Sequence, residues 1–133
     1  MRDKETSHKN KDEKLKILAA GDVHGDTSLI KKLAEKAEKN KVDLVILAGD
    51  ITSPIETKNL LKPFKDRHKK VLLIPGNWDS FATIDFLANL YDMKNMHGYY
   101  FKQSGVGFFG AGGTKGTDLY EKEVIPYWQG KTQ

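Results

Sequence analysis

The sequence predicts an α/β fold, with a parallel βαβαβ unit followed by the start of an antiparallel second sheet. Three observations predict it. Short apolar runs recur at 15–20, 43–49 and 71–76, as strands do, and the run at 43–49 is nearly continuous in apolar residues, as in a strand covered on both faces. Between them lie stretches whose apolar residues fall three and four apart, as on one side of a helix. After residue 91 the rhythm gives way to two aromatic-rich runs on either side of Ser104-Gly105, the mark of a hairpin.

Taken in order, LKILAA (15–20) reads as a buried strand and TSLIKKLAEKAEKN (27–40) as an amphipathic helix. Leu29, Ile30, Leu33 and Ala37 share the inward face of that helix, and Asp26 or Thr27 can cap its start. DLVILAG (43–49) is the second strand. IETKNLLKPFKDRHKK (55–70) reads as a helix that Pro63 should end or kink, because proline removes an N–H and clashes with the preceding turn. VLLIPG (71–76) is the third strand. In SFATIDFLANLY (80–91), a helix, Phe81, Ile84, Leu87 and either Leu90 or Tyr91 point inward. YYFKQ and VGFFG form the hairpin, and a short helix fits 118–125. Strands alternating with helices over short links make a parallel sheet. Gly105, Gly107 and Gly110 satisfy G-x-G-x-x-G, but they straddle a hairpin turn and open no helix, so a dinucleotide fingerprint is rejected.

The 133 residues suit one domain, 15–133, preceded by a polar leader at 1–14 that is expected to be disordered and dispensable. The leader also explains much of the basic pI of about 9.1. Residues 1–16 hold six Lys or Arg against four Asp or Glu, giving +2 of the net +4. The rest is nearly neutral, so no dedicated nucleic-acid surface is expected. The absence of cysteine excludes disulfides, thiolate metal sites and Cys nucleophiles. No apolar run suits a membrane span or a secretory signal, so a cytoplasmic location is expected.

Each predicted strand is followed at once by a turn rich in chemistry. These are GDVHGD (21–26), AGDITS (48–53) and PGNWDS (75–80). In a parallel α/β sheet such turns converge at the carboxyl edge, where ligands bind. Asp22, His24, Asp50 and Asn77 would thus share one volume. Oxygen ligands mixed with imidazole suit Mn, Fe, Zn or Ni more than calcium. A single Asp or Asn after a strand is commonly only a cap or turn residue. Capping, however, gives no reason for a histidine at position 24.

GDVHGD, AGD and PGN at these intervals resemble the signature of the calcineurin-like metallophosphoesterases, in which D-x-H is followed by G-D and then by G-N-H with an acidic residue. The resemblance covers roughly residues 15–113 and implies an α/β/β/α sandwich of which the C-terminal part is missing from this chain. It implies that Asp22 and His24 bind a first metal, that Asp50 bridges, and that Asn77 binds a second. Two divalent ions about 3.5–4 Å apart would clamp a phosphoryl group and hold a hydroxide that hydrolyses a phosphomonoester or phosphodiester. Trp78 and Asp79 occupy the family's His-acidic position, where the histidine binds the scissile phosphate or protonates the leaving group and the acidic residue orients it. An indole has an N–H donor but no proton to give near neutral pH. Trp78 is left to donate to a phosphate oxygen, to stack on an aromatic leaving group, or simply to pack.

The family continues with an isolated histidine and a G-H-x-H, and neither is present here. His8 lies in the leader, His68 is expected on a solvated helix face, and His97 matches a family position that is usually structural. The expected function is therefore a metal-dependent phosphoesterase acting on a small phosphoester, weak or inactive as this chain alone. Its alternative is a degenerate, non-catalytic domain that binds metal or serves assembly, as a homo-oligomer for example.

Overall fold

A computed structural model of the protein describes residues 14–53 and 58–113. Apart from Lys14, the leader lies outside the described residues, as does the helix expected at 118–125. The elements run β1 (Ile17–Ala20), α1 (Thr27–Lys39), β2 (Leu44–Ala48), α2 (Lys62–Asp66), β3 (Val71–Ile74), α3 (Phe81–Tyr91), β4 (Lys94–Asn95), β5 (Tyr100–Gln103) and β6 (Val106–Phe109). Strands β1 to β4 form one parallel sheet in sequential order, and β5 pairs antiparallel with β6.

Because side chains alternate across a strand, β2 and β3 feed two cores. Val45, Leu47, Val71 and Leu73 meet the helices through Ile30, Ala34 and Ala37 of α1, Phe64 of α2, and Ile84, Ala88 and Tyr91 of α3. On the other face Leu44, Leu72 and Met96 are covered by Phe101 and Phe108 of the hairpin. The described residues thus build three layers, helices on sheet on hairpin. None of the described helices is long and apolar enough to cross a membrane.

The helices start as their caps dictate. Asp26 accepts the Leu29 N–H at 3.0 Å, and Ser80 accepts that of Thr83 at 3.0 Å. The inward faces follow the sequence reading, with Tyr91 rather than Leu90 turned inward and two alanines added. Ala34 and Ala88 are buried, Leu29, Leu33 and Leu87 are partly so, and Leu90 is left exposed. The helix expected over 55–70 is only Lys62–Asp66, with residues 54–57 outside the described set. Pro63 stands in its first turn and so starts the helix rather than ending it, since a first-turn proline gives up no helical hydrogen bond. His68 is exposed, but lies past the end of α2 with φ +54°. Strand β4, too short to carry a pattern of its own, was not legible in the sequence; it exists because Met96 N–H reaches the Leu73 carbonyl at 2.8 Å beside β3.

Candidate metal centre

The first three strands all end at the same edge of the sheet, and their turns are hydrogen-bonded to one another. Asp22 N–H donates to the Gly49 carbonyl at 3.1 Å, His24 N–H to that of Asp50 at 2.8 Å, and Gly25 N–H to that of Ile51 at 2.9 Å. The β1–β2 ladder therefore runs on beyond the strands and fixes the first turn on the second. Asp22, His24 and Asp50 have φ of +54°, +49° and +50°. This left-handed conformation costs an L-residue roughly 1–2 kcal/mol, although Asp and His enter it more readily than most. Three such residues in facing turns turn their side chains to one volume, and the hydrogen bonds between the turns hold them there.

The second and third turns approach still more closely. Gly49 N–H donates to Ile74 at 2.8 Å, and Gly76 lies flat against the Asp50 backbone. Any Cβ at position 76 would stand against the Asp50 amide and 2.8 Å from the Gly49 Cα. From the third turn, Trp78 N–H donates to Asp50 Oδ1 at 2.8 Å. The Asn77 side-chain amide lies 3.1 Å from both Asp50 carboxylate oxygens, within hydrogen-bond reach of them.

Asp22, His24 and Asp50 are brought together. One ligand atom from each lies within 4.8 Å of the others, and His24 Nε2 is 3.9 Å from Asp22 Oδ1. Asp22 and His24 are exposed and Asp50 is half-buried, so the group opens to solvent on one side. Two carboxylates and an imidazole fit a divalent transition ion by donor chemistry. The electrostatics agree: Asp50 has its carboxyl pushed above the ordinary carboxylate range, first by burial and further by the neighbouring Asp79 charge and Asp22. The hydrogen bond from the Trp78 amide and the His24 ring oppose that rise. A bound cation would relieve the same crowding.

Trp78 is no core residue. The residue is 47% exposed, and its ring stands edge-on to His24 with centroids 6.3 Å apart. Asp79 is buried at 2% exposure. Its Oδ2 accepts the Ile51 N–H at 3.1 Å and the Gly76 N–H at 2.9 Å. Its Oδ1 accepts the Thr52 N–H at 2.9 Å and the Thr52 hydroxyl at 2.7 Å. Thr52 was not singled out in the sequence; the only cue there was its place two residues after Asp50.

The other described histidines, His68 and His97, are elsewhere. His97 is buried, its Nδ1 accepts the Gly112 N–H at 2.9 Å, and its ring lies 4.4 Å from that of Phe81. These contacts anchor the chain leaving β6, where Gly113 N–H donates to the Pro75 carbonyl at 3.1 Å. Among the described residues no other group of three His, Asp or Glu could hold a metal ion.

Comparison with known proteins agrees with this geometry. A crystal structure of similar fold superposes with a TM-score of 0.63 at 13% identity, over 89% of this chain and 63% of that one. The chain thus spans less than two thirds of its solved neighbour. No curated protein matches the sequence significantly. The model of one family, described as calcineurin-like phosphoesterase, matches residues 15–128. With that match over most of its length, and the turns of its first three strands gathered as described, the chain belongs to the calcineurin-like phosphoesterase family.

Proposed function

We propose that the protein is a metal-dependent phosphoesterase, hydrolysing a phosphomonoester or phosphodiester, and that this chain alone turns over slowly. The observation that carries the reading is the meeting of Asp22, His24 and Asp50 within 4.8 Å at the carboxyl edge of the sheet. In this reading Asp22 and His24 would hold one ion, Asp50 would be shared, and Asn77 would offer its carbonyl oxygen to a second. Bound divalent ions supply the Lewis acidity that polarises a phosphoryl group and activates water.

The chain's own residues set the rest. The Trp78 amide holds Asp50 Oδ1, so one lone pair of that oxygen is committed to the protein and the carboxylate is fixed in orientation. The exposed indole of Trp78 can donate its N–H or offer its face to a substrate, but it delivers no proton near neutral pH. General acid help is typically worth about 10²–10⁴-fold, so leaving groups that depart as stable anions are favoured. A non-catalytic metal-binding domain is the second reading. It is favoured by the placement of His68 and His97 away from the cluster, which leaves His24 as its one imidazole among the described residues.

Metal content measured by plasma mass spectrometry after incubation with Mn tests the centre. The wild type should retain Mn, and the Asp22→Ala, His24→Ala double variant should lose it. Equal metal in both would refute the assignment. Turnover of bis-(p-nitrophenyl) phosphate then separates the two readings. Slow hydrolysis abolished by Asp50→Ala supports the phosphoesterase, and metal binding without any turnover supports the binding domain.

A further inference from the structure

Asp79 is a buried carboxylate whose acceptor capacity goes to two turns that are far apart in the chain. Gly76 lies three residues before it, whereas Ile51 and Thr52 belong to the turn after β2. All four donors come from the protein, three of them backbone N–H groups. Charge-assisted bonds of this kind are roughly twice as strong as neutral ones. Asp50 is the residue immediately before the first of these donors, and Asn77 immediately follows Gly76. The carboxylate therefore grips the backbone next to both residues.

We propose that Asp79 is the positioning residue of the metal centre, fixing the distance and angle between the turn that carries Asp50 and the turn that carries Asn77. The proposal rests on the metal-centre reading above. Its physical basis is pre-organisation. Asp50 is in the left-handed region with its carboxylate held by Trp78 N–H, and both features require the two turns to stay in register. Without the clamp, the Ile51 and Thr52 amides would seek water, and Asp50 would be free to leave the left-handed region. An ion would then have to reassemble the site as it bound, and its affinity would fall accordingly.

The two oxygens make different predictions for an amide. In Asp79→Asn the carbonyl oxygen can replace Oδ2 and keep the Ile51 and Gly76 bonds. The amide nitrogen then faces the Thr52 N–H, donor against donor, while it can still donate to the Thr52 hydroxyl. Asp79→Asn should therefore lie between wild type and Asp79→Ala, and Thr52→Val, which loses only the hydroxyl, nearer to wild type.

The test is Mn affinity of the full chain by calorimetric titration, run well below the melting temperature of every variant. Phe64→Leu, which trims a buried ring of α2, serves as a control for stability alone. Asp79→Ala should weaken Mn binding by about 10- to 100-fold, the range typical of residues that support metal ligands. Phe64→Leu should melt lower and bind Mn as the wild type does. Metal-free hydrogen exchange should show the Ile51, Thr52 and Gly76 amides losing protection in the Asp79 variants. Should Asp79→Ala fail to fold, Asp79→Asn and Thr52→Val carry the same comparison. Asp79 variants that melt lower yet bind Mn like the wild type would overturn the proposal alone. A wild type that takes up no Mn would sink the metal-centre reading and this proposal with it.

Discussion

Asp50 shows how much one residue is asked to do. It sits half-buried between two turns, in a left-handed conformation, with the Trp78 amide on one oxygen and the Asn77 amide against both. Burial and the Asp79 charge hold its carboxyl above the usual carboxylate range. The folded chain then binds that proton more tightly than the unfolded chain does. Stability from this group is therefore full below the ordinary carboxylate range and is lost as pH rises through the raised folded value. In metal-free protein at neutral pH, the Asp50 charge is a burden. Asp50→Asn removes the charge and keeps an acceptor for the Trp78 N–H. In chelator at pH near 7 it should melt higher than wild type, and the gap should close on acidification to about pH 4. Added Mn should reverse the order, because only the wild type gains from it. Scanning fluorimetry across pH, with chelator and with Mn, reads all three outcomes. A wild type that melts higher in chelator at neutral pH would show that the charge is no burden.

The turns are elements as much as the strands are. Their motifs were legible because glycine, aspartate and asparagine at strand ends have a backbone reason to be there. What could not be read was their mutual contact. Gly76 looks like an ordinary turn glycine in sequence, yet the requirement comes from a second segment, since a Cβ would meet Asp50 and Gly49. Gly76→Ala should thus act as an overpacking change costing about 1–3 kcal/mol. It should also displace Asp50 and weaken Mn binding. Chemical denaturation and Mn titration of the same preparation check this, and unchanged affinity would mean that the turns can part without harm to the site. The helix expected over 55–70 failed for an opposite reason. Its apolar residues Leu60, Leu61 and Phe64 are indeed buried, but Pro63 favours a helix start, and the helix begins only at Lys62.

At the scale of the molecule, the two sides of the sheet are unequally built among the described residues. The helix face has a core of fully buried residues from α1, α2 and α3. The hairpin face relies on Leu44, Leu72 and Met96 beneath half-buried Phe101 and Phe108. The outer side of the hairpin shows Tyr100 at 65% and Phe109 at 73% exposure. A two-stranded sheet with one face in water is marginal on its own. Amides of β5 and β6 should therefore exchange with solvent through local opening, well before those of β2 and β3. Phe101→Ala should speed exchange in the hairpin while leaving α1 and β2 nearly unchanged. Hydrogen exchange followed by mass spectrometry distinguishes this from a single cooperative unit, in which all strands would exchange together.

The sequence by itself determined the strand and helix order, the hairpin at Ser104-Gly105 and the placement of Asp22, His24, Asp50 and Asn77 in strand-end turns. It could do so because alternation, helical spacing and turn residues are local properties, and a parallel sheet sends its strand ends to one edge. Tertiary structure decided what depends on partners distant in the chain. Strand β4 was defined by β3 alongside it, and the register of the turns by ladder bonds such as His24 to Asp50. Asp79 shows the difference most plainly. In sequence it is the acidic residue beside Trp78; in the fold its carboxylate reaches back 28 and 27 residues to Ile51 and Thr52. No local pattern encodes such a bond, because it exists only once β2 and β3 lie side by side.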